Sequence, residues 1–216
     1  MTDIYICGDS ISAAYDPVST LFTGWGQVLG AFLPGARIHD HAMAGRSTRT
    51  FISEGRLDRL SYMEKGSLML IQFGHNDESD KPERHADPWT AYYDNLKTFV
   101  SFARERGALP VLLTPVCMRV FEDGVLRETH GEYPKAMRAA AEETGTPLID
   151  MYRFSFDTVS AAGEEGSRAL FMNISPGEDP RYPDGLHDNA HTRRAGAFTF
   201  AGYAAAELKA LGLVEP

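Results

Sequence analysis

Ile4-Tyr5-Ile6-Cys7-Gly8-Asp9-Ser10 is the stretch on which the reading of this chain turns. β-Branched, aromatic and small apolar side chains in an unbroken run suit a strand buried on both faces, and the Gly-Asp pair ends it. The residue delivered at the carboxyl end of such a strand lies where open α/β sheets bind ligands. Ser10 is therefore expected in that crevice, either as a nucleophile or as the N-cap of the next helix. A base and separate oxyanion donors brought to the same edge would decide between the two.

Outward from this stretch, apolar runs alternate with segments of helical period. Leu68-Met69-Leu70-Ile71-Gln72-Phe73, Val111-Leu112-Leu113 and Leu148-Ile149-Asp150 read as further strands, with a weaker one around Arg37-Ile38. That alternation predicts βαβ units around a parallel sheet. A helix is expected from Pro88 to Arg106, where Trp89, Tyr92, Tyr93, Leu96, Phe99, Val100 and Ala103 recur at helical spacing, Asp87 stands as N-cap and Gly107 follows. A second is expected from about Tyr133 to Thr144 with Gly145 as its cap. A third runs from about Ala195 to Leu211 with Ala197, Phe200, Ala201, Ala204, Ala205, Leu208 and Leu211 on one face. Two polar stretches break the alternation and are expected as long loops: Gly74 to Asp87, and about Gly163 to His191.

The 216 residues are 43% hydrophobic and 24% charged, ordinary for one globular domain spanning 1–216. Thirty Asp and Glu against 21 Lys and Arg give a net charge of −9, which argues against nucleic acid or an anionic membrane as partner. The chain starts directly on its first strand, with no signal-like segment and no run of apolar residues long enough to cross a bilayer, and so reads as cytoplasmic. Cys7 and Cys117 make neither a disulfide framework nor a zinc cluster, and His39, His41, His85 and His130 lack metal-ligand spacing. No metal or cofactor is expected.

The chemistry-bearing residues fall at strand ends. Ala42-Met43-Ala44-Gly45-Arg46-Ser47-Thr48-Arg49 follows the second strand, Gly74-His75-Asn76-Asp77 the third, and Asp188-Asn189-Ala190-His191 precedes the last helix. Acyl transfer needs a serine, a base oriented by a carboxylate, and donors for an oxyanion. Asp and His three residues apart can lie on one turn, Gly45 can present an unshielded N–H, and Asn76 can supply a side-chain amide. Asp184-Gly185-Leu186-His187 offers a second pair at the same spacing. There Pro183-Asp184-Gly185 reads as a turn that engages the carboxylate locally.

These four blocks, in this order and over nearly the whole chain, resemble the SGNH (GDSL-type) hydrolases. The resemblance implies a three-layer α/β/α fold of flavodoxin type with a central parallel five-stranded sheet. It implies Ser10 as nucleophile, His191 as general base, Asp188 as its orienter, and the Ser10 N–H, Gly45 N–H and Asn76 side chain as the oxyanion hole. More narrowly, Gly24-Trp25-Gly26, Gly45-Arg46-Ser47, Ile71-Gln72-Phe73-Gly74-His75-Asn76-Asp77 and His191 followed by Ala195-Gly196-Ala197 look like the rhamnogalacturonan acetylesterase branch, which removes acetyl groups from pectic sugars. The spacing from His191 to Gly196 matches that branch and favours His191 over His187. One departure stands out: that branch typically carries asparagine five residues before the second-block glycine, and this chain has Asp40. Arg46 and Arg49 are expected to meet a substrate carboxylate, Trp25 to stack on a sugar ring, and His75 to line the substrate site or pack behind it. The expected partner is a small or oligomeric acetylated carbohydrate. The competing readings are a lipase or thioesterase for longer acyl chains, and a non-catalytic flavodoxin-like sugar binder. No Gly-x-Ser-x-Gly elbow occurs, which excludes the ordinary α/β-hydrolase.

Overall fold

The computed structural model describes residues 1–215. In chain order the elements are β1 (Thr2–Gly8), α1 (Trp25–Val28), β2 (Ala36–Asp40), α2 (Thr48–Ser53), β3 (Leu68–Gln72), α3 (Ala91–Glu105) and β4 (Leu109–Leu113). There follow a short hairpin of β5 (Phe121–Glu122) and β6 (Val125–Leu126), then α4 (Tyr133–Thr144), β7 (Leu148–Ile149), α5 (Met151–Ser167), β8 (Phe171–Ile174), β9 (Leu186–Thr192) and α6 (Arg194–Ala210).

Five strands form a parallel sheet in the order β2-β1-β3-β4-β7. The chain leaves β1 toward β2 on one side and returns to β3 on the other, so a topological switch point opens between β1 and β3, at their carboxyl ends. Pleating sends Ile4 and Ile6 into one core with Trp25 of α1, Val159 of α5 and Phe200 of α6, and Tyr5 and Cys7 into the other with Phe51 of α2, Leu96 of α3 and Met137 of α4. Burial on both faces is why β1 and β3 read as continuous rather than alternating apolar runs.

Helix α4 begins and ends where its sequence predicts, and Gly145 closes it in the left-handed conformation (φ 57°, ψ 38°). α3 starts at Ala91, not Pro88. Asp87 caps a preceding turn, its Oδ1 accepting from the Trp89 N–H at 3.1 Å and the Thr90 hydroxyl at 3.1 Å. The buried face of α6 is as expected except for Leu211, which is exposed just beyond the helix end. The expected loop from about Gly163 to His191 is a correction: most of it is structured. α5 runs to Ser167 with a single break at Gly163 (φ 70°, ψ 179°), and β8 and β9 pair antiparallel as a separate two-stranded sheet. None of the described helices is long and apolar enough to cross a membrane.

Candidate active site

Ser10 stands just past the end of β1, 7% exposed. It does not cap a helix. Asp9, fully buried, closes a lone turn by accepting the Ile11 N–H on Oδ1 at 2.9 Å and the Ala13 N–H on its carbonyl at 3.2 Å, and no helix begins before Trp25. Gly8 cannot carry a side chain here: a Cβ would lie 2.8 Å from the Gln72 carbonyl oxygen and 2.2 Å from Ser12 Oγ. The Tyr15 hydroxyl donates to the Ser10 carbonyl at 2.9 Å and ties the turn to the segment before α1.

Facing Ser10 is β9. Between the pairs Phe171–Thr192 and Asn173–His187 the hairpin advances two residues along β8 and five along β9, so three residues bulge out of β9. Asp188 organises that bulge, its Oδ1 accepting the N–H groups of Ala190 (2.9 Å) and His191 (3.0 Å). Asp188 Oδ2 accepts from His191 Nδ1 at 2.7 Å, and His191 Nε2 lies 2.9 Å from Ser10 Oγ. Burial pushes the Asp188 carboxyl up, yet the hydrogen bonds from His191 and Ala190 outweigh it and hold its pKa below the ordinary carboxylate value. An ionised Asp188 can only accept, so Nδ1 carries the proton and Nε2 is free to accept one from Ser10. Phe22 packs its ring edge against the imidazole at 5.1 Å between centroids, and Asn173 Nδ2 donates to the Asp188 carbonyl at 3.0 Å. His187, by contrast, is exposed. The expectation that the Pro183–Gly185 turn engages the Asp184 carboxylate is a correction: the turn is closed by the Gly185 N–H donating to the Tyr182 carbonyl at 2.9 Å, and among the described residues Asp184 accepts no hydrogen bond on its carboxylate.

Opposite the base, the loops after β2 and β3 bring Gly45 and Asn76 to the same edge. Gly45 adopts φ +78°, and its N–H, like the N–H of Ser10 and Nδ2 of Asn76, has no partner among the described residues. The two loops are locked by one buried contact. Asp77, next to Asn76, accepts from the Thr48 N–H at 3.0 Å and the Thr48 hydroxyl at 2.5 Å, three residues after Gly45. Burial raises the Asp77 pKa well above the ordinary value, and the Thr48 donors oppose that rise. Tyr133 also donates, to the Asp77 carbonyl at 3.0 Å.

Three of the expected substrate contacts lie elsewhere. Trp25 is fully buried and donates from Nε1 to Gln72 Oε1 at 2.5 Å, so it supports the core under the site and cannot stack on a sugar. His75 is enclosed, its side chain 8% exposed and its ring edge-on to His130 at 4.4 Å. It stands behind the nucleophile, with Nδ1 3.6 Å from Asp9 Oδ2. Burial works against its charged form, and the Asp9 carboxylate overrides that and raises its pKa. Arg46 is held by Glu54 (Nε to Oε2, 3.1 Å) and donates to the Ala44 carbonyl at 3.0 Å, the helix-start pairing of a half-buried arginine. Arg49 is exposed in the first turn of α2.

Sequence reasoning missed Arg84. Its Nη1 donates to Asn76 Oδ1 at 3.4 Å, and its guanidinium atoms lie 3.4–3.7 Å from where a Cβ on Gly45 would stand. Because a guanidinium only donates, this contact turns the Asn76 carbonyl away and leaves Nδ2 for the site. No motif carries it; a basic residue in a polar loop, three places after Lys81, was the sole signal.

A serine, an imidazole and a carboxylate in hydrogen-bond sequence, faced by three unpartnered N–H donors at a switch point, are the parts of an acyl-transfer site. The profile of the GDSL-like lipase/acylhydrolase family matches residues 6–196, and the chain belongs to that family. Among curated relatives it is 40% identical to the rhamnogalacturonan acetylesterase RhgT of Bacillus subtilis (strain 168), over 97% of this chain and 90% of that protein. It is 39% identical to the probable rhamnogalacturonan acetylesterase YesY of the same organism, over 97% and 94%. Among solved structures, protein YxiM of Bacillus subtilis superposes with a TM-score of 0.83 at 27% identity, covering 98% of this chain and 57% of that one. An acetylxylan esterase of Geobacillus stearothermophilus shares the fold, with a TM-score of 0.67 at 19% identity over 96% and 94% of the two chains.

Proposed function

We propose that this chain is a serine esterase that removes O-acetyl groups from carbohydrate of the rhamnogalacturonan type, acting as one domain over residues 1–216. The observation that carries the reaction is the unbroken Asp188–His191–Ser10 sequence at 2.7 and 2.9 Å. The identity of 40% along almost the full length of RhgT supports the substrate.

In this reading the Ser10 Oγ attacks the acetyl carbonyl as His191 Nε2 takes its proton. The carbonyl oxygen becomes negative and is received by the N–H groups of Ser10 and Gly45 and by Asn76 Nδ2. His191 then returns the proton to the departing sugar hydroxyl, which leaves acetyl-Ser10. A water then attacks the acetyl carbonyl as the same nitrogen takes its proton, and His191 passes that proton to Ser10 Oγ as the ester bond breaks, which releases acetate and restores the free serine. Asp188 keeps the imidazole in the correct tautomer and stabilises its cation. No step calls on a cofactor or metal.

The rim favours a polar substrate. Asp80, Lys81, Glu83 and His85 in one bordering loop and Arg181 and Asp184 in the other are exposed. The test is acetate release from acetylated rhamnogalacturonan oligosaccharides, beside aryl esters of increasing acyl length. The expected result is release from the oligosaccharide and faster turnover of aryl acetate than of aryl octanoate. Equal or faster octanoate turnover, with no release from the oligosaccharide, would move the assignment to a lipase or thioesterase.

A further inference from the structure

Arg84 presents a cation that no acidic side chain among the described residues neutralises. It is half-buried, and among the described residues no carboxylate lies within 4 Å of it, in a chain of net charge −9. Arg46, Arg168, Arg181 and Arg193, in contrast, are each paired with Glu or Asp. Among the described residues its one side-chain hydrogen bond is the 3.4 Å contact to the neutral Asn76 Oδ1. A guanidinium has five N–H donors in a planar fork, so most of that fork is unused. It fills the space where a Cβ on Gly45 would stand and lies beside Asn76, next to two of the proposed oxyanion donors.

We propose that Arg84 is a specificity-determining residue that grips the carboxylate of a uronate sugar, on the acetylated ring or the one bonded to it. This rests on the carbohydrate-esterase reading of the site and names the charge its substrate carries. A planar, bidentate acceptor completes the fork, and a carboxylate is the anion such a sugar offers. The contact with Asn76 sets the distance: the carboxylate is held one carboxamide away from the reacting carbonyl. Arg46, which the sequence puts forward for this task, is engaged by Glu54.

The experiment measures inhibition of aryl-acetate hydrolysis by unacetylated galacturonate oligomers and by uncharged galactose oligomers of the same length. Wild type, Arg84→Gln and Arg84→Lys are compared, with thermal melting as the check on folding. Wild type is expected to bind the acidic oligomer at least about tenfold more tightly than the neutral one, the yield of one charge-assisted bidentate pair. Arg84→Gln is expected to bring the two within about twofold, and Arg84→Lys to keep part of the preference because the charge survives without the fork. No preference in wild type, or a preference that survives Arg84→Gln, overturns the proposal. A loss of aryl-acetate kcat in Arg84→Gln with the acidic preference intact also overturns it and leaves Arg84 as a positioning residue for Asn76. Because no acetylated glycan is used, failure of the substrate reading is separate. That failure is an absence of acetate release from pectic oligosaccharides alongside an Arg84-dependent preference for uronate.

Discussion

Replacing Asp40 by asparagine should stabilise the protein, and more so at alkaline pH. Asp40 ends β2 beside Ile6, its Oδ1 accepting the Ala42 N–H at 3.0 Å while Oδ2 is buried without a partner. Burial pushes its pKa from the ordinary 3.8 to about 7, and the Ala42 N–H pulls only weakly the other way. The folded chain therefore holds a proton that the unfolded chain releases, and stability falls as pH rises through the window between those two values. Roughly three pH units of linkage set a ceiling of about 4 kcal/mol above pH 7, and partial solvent access brings the expected cost to about 2 kcal/mol. Asparagine keeps the bond to Ala42 and carries no charge, so this cost disappears. For a chain of this size the gain is about 4–8 °C in Tm at pH 8, shrinking to about 2 °C or less at pH 4.5. Differential scanning calorimetry of both proteins at the two pH values measures the difference and cancels every carboxylate they share. A gain that is the same at both pH values, or a loss at pH 8, would refute the claim that an unpartnered buried carboxylate is the cause.

Three further substitutions separate the roles described. Asn76→Ala should lower kcat about 10²–10³-fold with KM nearly constant, as for other side-chain oxyanion donors, and a change in KM alone would make Asn76 a binding residue. Trp25→Phe strands the buried Gln72 Oε1 and leaves a small cavity, so it should cost about 2–4 kcal/mol in urea unfolding while KM for aryl acetate stays within about twofold; a stable variant with a raised KM would return Trp25 to the substrate site. Arg46→Gln breaks an exposed pair with Glu54 and should change stability by less than about 1 kcal/mol, with acidic and neutral acetylated oligosaccharides affected alike in kcat/KM.

What the sequence made legible was backbone: short apolar runs buried on both faces, ended by glycine, fix both the sheet and the loops at its carboxyl edge. Gly8 and Gly74 announce strand ends, and Gly45 the turn of the loop after β2, because a side chain is sterically excluded or the backbone is left-handed there. The loops that hold Ser10, Gly45 and Asn76 could be placed at that edge from the runs, while their roles came with the resemblance to the SGNH hydrolases. β9 was hidden because its side chains are polar and its pairing is interrupted by the Asp188–His191 bulge, so it lacks the period of two by which a strand is read. The first turns of α5, Met151-Tyr152-Arg153-Phe154-Ser155-Phe156, carry aromatic and serine residues of modest helix propensity and are held by the Asp150 cap and by packing on α6. Exposure was the other blind spot. Trp25 in a Gly-Trp-Gly turn suits a sugar platform and a core anchor equally well, and only its bond to Gln72 separates them. Arg84 was invisible for the same reason, since its meaning lies wholly in the spatial neighbours Gly45 and Asn76.

The central claim is that Asp188 and His191, not Asp184 and His187, activate Ser10. Both pairs share one spacing and lie within eight residues of one another, on β9 and the turn before it, so kcat for aryl acetate in His191→Ala and His187→Ala, each verified as folded, compares them directly. His191→Ala is expected to lose about 10³-fold or more, the loss of a triad base, while His187→Ala, an exposed residue with no link to Ser10, stays within about threefold of wild type. A large loss in His187→Ala with His191→Ala near wild type would contradict the assignment.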